Sequence, residues 1–282
     1  MPDNEIGWGQ GAVNNDIGWG KGASNNDISW GAIHADSPSG DTSLGATATS
    51  SFTNTKSIAF DGQNDVARAS SNLDLTGAFS LSLWINTTHS ATDGFKALAG
   101  SYHWGNGAFQ NWILYLSSVR NRIALLIRNS SNQAIVNAVI DDSVADIDDG
   151  NWHHIFVVFS NTTATNSTKI FVDGSLDLQV TPTGTTLRTT SQPFEIGGTE
   201  TGTVDLFGLL DEVAIWDSDQ SENAVTIYNS GTPSDLTTYS PLHWWRMGDG
   251  DTFPTLTDNG SGSIDLTMTN MGSDDIVEDV PS

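Results

Sequence analysis

Apolar and polar residues alternate along most of the chain, and the alternation predicts strands. In AFSLSLWINT, Phe79, Leu81, Leu83 and Ile85 fall on one face, with Ser80, Ser82 and Trp84 on the other. KSIAF and DVARAS flank a turn at Asp61 to Asn64, and NWILYLSS, NRIALLIRN and QAIVNAVID continue the texture. NWHHIFVVFS is almost unbroken in its apolar character, which predicts a strand covered on both faces. KIFVDGSL runs into a tight Asp173-Gly174 turn, and PFEIGG and LFGLLDEVAIWD complete the series. The spacing changes once. Asp219 is placed to cap a helix, with Glu222 three residues on; Ala224, Ile227 and Tyr228 share a face, and Gly231 stops it. Many short strands, regular turns and one late helix predict an all-β fold, a two-sheet antiparallel sandwich over residues 47–282.

The first 46 residues carry no such alternation. They are poor in aliphatics, rich in Gly, Asn and Asp, and write one cassette three times. Trp8, Trp19 and Trp30 stand eleven residues apart, each preceded by Ile-Gly or Ile-Ser and followed by glycine. An eleven-residue period can signal a helical supercoil, but the flanking glycines and the Asn-Asn-Asp punctuation argue against helix. Three repeats are also few for a solenoid. What remains is an extended segment, residues 1–46, of short pieces separated by turns, each presenting one indole. A flexible linker is the alternative, although linkers rarely carry aromatic residues at a fixed interval. Burying an exposed indole against a partner is worth roughly 1.5–3 kcal/mol, and linked sites add avidity. Trp8, Trp19 and Trp30 are therefore the expected attachment residues.

Composition narrows the function classes. With 34 acidic and 10 basic residues the formal net charge is −24, a surface that repels DNA, RNA and anionic lipid, so no nucleic-acid partner is expected. Ten Trp and eleven Phe supply a core, which separates the chain from a disordered polyelectrolyte. The absence of cysteine excludes disulfides and thiolate metal sites. No apolar run approaches a membrane span, so no membrane insertion is expected, and Met1 is not followed by the basic start and apolar stretch of a signal peptide.

FSLSLWINT, NWHHIFVVFS, KIFVDGSL, FEIGG and GLLDEVAIWDSDQSENAVTIYNSG occur in the order and spacing of laminin-G-like, concanavalin-A-like jelly rolls, which the chain resembles from about Thr47 to Gly231. The resemblance implies two antiparallel sheets packed face to face, often a calcium ion at one rim, and a binding rather than a catalytic role. In one respect the chain departs from the pattern. The strand type with which such domains commonly begin stands after the helix here, in HWWRMGDGDTFPTLTDNGSGSIDLTMTNM. Residues 239–282 are therefore expected to supply late strands that complete the sandwich. The IGWG cassettes are similar to those of appendage proteins of tailed bacteriophages, which implies a virion structural protein: head decoration, head fibre or tail appendage. Its partners would be other virion proteins, of capsid or tail, and a homo-oligomer is expected.

Catalytic constellations are missing. The sandwich glycanases that resemble this fold carry Glu-x-Asp-x-x-Glu on one strand, and no such spacing occurs. Glu195, Glu200 and Glu212 are far apart, and the adjacent Asp211 and Glu212 are expected to point to opposite faces of a strand. No Gly-x-Ser-x-Gly elbow is present, and of the consecutive His153 and His154 one is expected in or under the sheet and one on its surface. No enzyme is expected and no catalytic residue is nominated. Calcium is the one expected cofactor. Its hard-oxygen ligands would come from Asp61, Asn64 and Asp65 in FDGQNDV and from Asp211 in GLLDEV, although Asp211 also reads as a buried cap for backbone amides.

For ligand recognition, SYHWGNGAFQNW offers Tyr102, His103, Trp104, Asn106 and Trp112, aromatic platforms beside amides that suit the mixed surface of a sugar ring. The alternative is a hairpin whose aromatics pack on the sheet rim. Arg120, Arg122 and Arg128 suit an anionic sugar, an acidic neighbouring subunit or a solvated face. The expectation is thus a non-enzymatic virion protein, anchored by its N-terminal repeats and displaying a laminin-G-like domain to cell-surface glycans. A secreted or cell-surface carbohydrate-binding adhesin is the second reading, and a polysaccharide-degrading enzyme the third.

Overall fold

The computed structural model describes residues 52–73, 75–89, 93–102, 111–118, 123–140, 146–189, 191–199 and 204–282. The expected extended segment 1–46, its boundary with the sandwich, and Trp8, Trp19 and Trp30 lie outside the described residues. The described strands are β1 (Ser57–Asp61), β2 (Val66–Ala69), β3 (Phe79–Thr87), β4 (Lys96–Ser101), β5 (Trp112–Leu116), β6 (Ile123–Arg128), β7 (Ala134–Val139), β8 (Trp152–Phe159), β9 (Thr168–Val172), β10 (Ser175–Val180), β11 (Glu195–Ile196), β12 (Phe207–Trp216), β13 (His243–Trp245), β14 (Thr255–Leu256), β15 (Leu266–Thr269) and β16 (Ile276–Val277). A short helix, α1 (Ala224–Tyr228), follows β12.

Two antiparallel sheets form a sandwich. Sheet A runs β10-β9-β8-β3-β12-β1-β16, with β13 also paired to β12, and sheet B runs β14-β15-β2-β11-β4-β5-β6-β7. The alternation along β3 sorts as the sequence predicts: Phe79, Leu81, Leu83 and Ile85 enter the inter-sheet core. Ile155, Val157 and Phe159 of β8 join them, facing Leu98, Leu114, Leu125 and Ile127 of sheet B. The other side of β8 is covered too. Phe156 and Val158 pack with Phe171, Ala214, Trp216 and Trp244 beneath Ala224 and Ile227 of α1, which is why this strand reads as continuously apolar.

Turn chemistry explains the connections. Asp173 and Gly174 both take positive φ (49° and 71°) between β9 and β10, the conformation a two-residue hairpin requires. The Asp61 to Asn64 turn behaves differently: β1 lies in sheet A and β2 in sheet B, so this turn arches across the sandwich. Asp65 holds the arch closed by accepting the Asp61 amide proton at 2.9 Å. Asp219 is not the cap of α1: it accepts from the Ser221 amide at 2.9 Å in the turn that leads into a 3-10 segment, Ser221–Asn223, and α1 begins after Asn223 with no side-chain cap. The α-helix ends at Tyr228 on a left-handed Asn229 (φ 49°) rather than at Gly231, because Asn also tolerates that conformation.

Strands β13 to β16 enter both sheets. β13 pairs with β12, β15 joins β14 to β2, and β16 borders β1. β12 is where the two ends of the described chain meet. Its edge pairs with β1 over Phe207–Leu210 and with β13 over Val213–Ile215. Between the two partners the β12–β3 register shifts, and Glu212 adopts a positive φ of 45°. This is a β-bulge placed where one strand must serve two neighbours.

The late strands carry core: Trp245 is fully buried and stacks on Phe194 with ring centroids 5.2 Å apart. Trp245→Ala is expected to lower stability by about 3–5 kcal/mol, read as a fall in the urea midpoint with the slope unchanged.

Candidate functional site

The bulge overturns one expectation about the carboxylates. Leu210 and Val213 both face the core, so the two residues between them cannot alternate, and Asp211 and Glu212 both turn to the outer face of sheet A. Each is almost completely buried there. Asp211 accepts from Asn54 Nδ2 at 2.7 Å and from the Glu212 amide at 2.7 Å, the role of a buried cap. Glu212 accepts from Trp244 Nε1 at 2.6 Å and from Arg246 Nε at 3.1 Å. Arg246 lies over the Phe52 ring at 4.4 Å and donates to Thr53 O at 2.6 Å. Asp249 accepts from the Thr55 amide and hydroxyl at 2.8 and 2.5 Å. The cluster thus joins three stretches of chain and leaves no access for a substrate to either acid.

The joint divides the outer face of sheet A. On the α1 side of Asp211 and Glu212 the face is closed by the helix and by Trp84, which packs against His154 and Tyr228 at 4.9 and 5.8 Å. On the other side no helix covers it, and the C-terminal segment reaches over part of it: Asp279 accepts from the Ser57 hydroxyl of β1 at 2.6 Å through its carbonyl and from Trp152 of β8 through its carboxylate. Ala59, Leu209, Asn86 and Trp152 stand in one cross-strand row over β1, β12, β3 and β8, each half-buried. The next row sets Asp61 directly opposite Phe207. Phe207 is 61% exposed, far more than a large aromatic residue needs to be. Trp152 Nε1 donates to Asp279 Oδ1 at 2.9 Å, which fixes the indole, and the Thr87 hydroxyl holds Phe207 O at 2.7 Å. Four adjacent strands at the usual spacing make the first row about 14 Å long. The surface is therefore mixed, with Trp152 at one end of the row, the Asn86 amide within it, and Phe207 beside the Asp61 carboxylate in the next row.

The two described residues of those nominated for ligand recognition, Tyr102 and Trp112, are not part of this surface. Trp112 is fully buried against Phe79 and Phe194, with centroids 5.1 and 5.9 Å away, because β5 turns it into the inter-sheet core. Tyr102 is also buried, beside Ala97, Ile113 and Val204. These two belong to packing, as the alternative reading held. His103, Trp104 and Asn106, with Arg120 and Arg122, lie outside the described residues. Trp152 and Phe207 carried a signal that sequence reading passed over: each stands at the first position of its strand, where the covering residues run out.

Residues 60–226 match the family model of the concanavalin A-like lectin/glucanases superfamily. The chain belongs to that superfamily. Among solved structures it is similar to a candidate carbohydrate-binding protein of Bacteroides ovatus, with a TM-score of 0.59 and 16% identity over 82% of this chain and 62% of that one. The chain thus spans about three-fifths of the Bacteroides protein. It is also similar to a heptameric SAP-like pentraxin of Limulus polyphemus, with a TM-score of 0.47 and 14% identity over 62% of this chain and 82% of the other. At 16% identity the similarity to the Bacteroides protein shows the fold alone. No curated protein matches the chain.

The calcium site implied by resemblance to other members of the superfamily does not fit the residues present. Asp211 sits in the buried joint, four residues along β12 from the strand end that faces Asp61, so it cannot share an ion with the turn. In the turn itself one oxygen of each acid serves the backbone: Asp61 Oδ1 accepts from the Gln63 amide at 2.7 Å, and Asp65 Oδ2 from the Asp61 amide. Neighbouring Asp205, which sequence reading missed, accepts from the Asn64 and Thr199 amides at 2.9 and 3.4 Å. Burial raises the Asp65 pKa to about 6. Among the described residues no group of three acidic or histidine side chains is arranged to hold a metal ion.

The two histidines divide between buried and rim positions. His154 is fully buried, contacts Ser82 Oγ at 2.8 Å, and is driven down to a pKa of about 3 by burial. His153 sits at the rim, its pKa raised first by the hydrogen bond to Asp173 at 2.8 Å.

Burial and mutual repulsion hold the Asp211 pKa well above its ordinary value, and burial raises that of Glu212 to about 7. The unfolded chain releases these protons near pH 4. Between about pH 4 and 7 the folded superfamily member therefore binds more protons than the unfolded chain, and stability falls as pH rises through that window. Urea titrations across this range should show the decline, and Glu212→Gln, which keeps an acceptor for Trp244, should flatten it.

Proposed function

We propose that the chain is a non-catalytic carbohydrate-binding protein, with the end of the outer face of sheet A beyond α1, where Phe207 is exposed, as its binding surface. The observation that carries this reading is the row from Trp152 through Asn86 and Leu209 to Ala59, with Phe207 and Asp61 beside it. A sugar ring presents apolar C–H faces and hydroxyl edges together, and aromatic platforms beside amide and carboxylate groups match both. The row is longer than a single ring, so an oligosaccharide is the ligand class. The net charge of −24 favours a neutral one. Superfamily membership and the Bacteroides neighbour support the reading. The burial of the adjacent carboxylates of β12, Asp211 and Glu212, supports binding without hydrolysis.

The repeat cassettes support a second layer. Trp8, Trp19 and Trp30 attach the chain to other virion proteins of a tailed bacteriophage, and the sandwich displays its glycan-binding face from the particle surface as a decoration, fibre or tail appendage. A cell-surface adhesin would use the same face without the particle.

Two experiments test these layers separately. On a glycan array, the full chain should retain neutral oligosaccharides, and Phe207→Ala should weaken retention by roughly tenfold or more with the circular dichroism melt unchanged. Equal binding by the variant would remove the surface from the account. Deleting residues 1–35 should abolish incorporation into particles while leaving glycan binding intact; full incorporation of the deletion would refute the tether.

A further inference from the structure

A groove of about 420 Å³ lies on the open edge of sheet B, away from the outer face of sheet A, between β7 and the segment 183–186 that arches past it. The arch is pinned at both ends. Thr183 donates its amide proton to Ile135 O at 2.9 Å, and the Arg188 amide donates to Arg128 O at 2.9 Å. Leu187 is anchored in the inter-sheet core. The opposite wall is equally fixed. Asn129 Oδ1 accepts from the Ser131 and Gln133 amides at 3.0 and 2.9 Å. Arg128 Nη1 donates to Asn132 O at 2.8 Å, and Arg188 Nη1 to Asn132 Oδ1 at 3.3 Å.

Between these rigid walls the lining is uncharged: Asn129, Gln133, Thr183, Thr185 and Thr186, with Ile135 among them. Asn129 Nδ2 reaches Gln133 Oε1 only at 3.4 Å. The Gln133 amide nitrogen and the Thr185 and Thr186 hydroxyls have no hydrogen-bond partner among the described residues. A fixed, uncharged concavity with convergent amide and hydroxyl groups and an apolar floor matches a hydroxyl-rich neutral molecule. Its volume falls within the range of small-ligand sites.

We propose that this groove is a second carbohydrate subsite, taking the terminal ring of a neutral glycan through hydrogen bonds from Gln133, Thr185 and Thr186. The inference rests on the reading of the chain as carbohydrate-binding. It adds that the domain is bivalent, with a stacking surface on sheet A and a hydrogen-bonding groove on the edge of sheet B. Two subsites of modest affinity on one rigid body would gain by holding a multivalent polysaccharide at two points.

The test is a titration of the isotopically labelled full chain with the methyl glycosides of glucose, galactose and N-acetylglucosamine, followed by amide chemical shifts. At least one glycoside should shift the side-chain amide of Gln133 and the backbone amides of Thr185 and Thr186. The double variant Gln133→Ala and Thr186→Val should weaken that response about tenfold or more while leaving shifts at Trp152 and Phe207 in place. Shifts at Trp152 and Phe207 alone would overturn the groove and leave the sheet A surface standing. Shifts in the groove alone would support the groove as a single-ring subsite. Silence in the groove would overturn it, while the glycan array decides the sheet A surface separately.

Discussion

One strand has to satisfy two partners on a single edge, and the rest of the molecule follows from how it does so. β12 pairs with β1 along its first half and with β13 along its second. The bulge at Asp211 and Glu212 absorbs the change, at the cost of a left-handed Glu212 and two carboxylates turned to the same face. Those carboxylates would repel one another in a dry environment. Asn54, Trp244 and Arg246 answer them with hydrogen bonds, and in doing so tie the start of the described chain to the strands that follow the helix. The buried pair is a structural clasp whose chemistry resembles an active site only in composition.

The same joint sets where the protein is closed and where it is open. Beyond it, α1 and the Trp84, Phe156, Trp216 and Trp244 side chains cover the outer face. Before it, no helix continues the cover: the C-terminal segment reaches over part of the face through Asp279, Trp152, Asn86 and Leu209 are half-buried, and Phe207 is exposed. A sheet held rigid by a second sheet beneath it presents these groups with little further ordering to lose on binding. The groove at the edge of sheet B has a comparable origin. The chain must cross from β10 to β11, and the arch it makes is fixed at Thr183 and Arg188 but stands clear of β7 between them.

Much of this was legible in the sequence, for identifiable reasons. The period-two alternation in β3 and the unbroken apolar run of β8 report burial directly, so the sandwich and its helix-covered face could be read from residues alone. Asp173-Gly174 announced its hairpin by the conformation only such residues adopt cheaply. The sites were less visible. Alternation wrongly separated Asp211 from Glu212 because a bulge leaves no mark in a hydrophobic pattern. Trp112 looked like a ligand platform because its neighbours are glycines and polar residues, yet its register in β5 sends it to the core. Trp152 and Phe207 were passed over because their significance lies in pairing across β1, β12, β3 and β8, which brings together residues as distant as 59 and 209.

The account stands on the claim that the uncovered end of sheet A is where a glycan lies. A crystal structure of the full chain with the oligosaccharide that it retains most strongly on an array addresses this directly. The account predicts sugar density across the β8-β3-β12-β1 row, with a ring face against Phe207 and a hydroxyl within hydrogen-bonding reach of Asn86. Sugar density confined to another face, with Phe207 and Trp152 still bare, would contradict it.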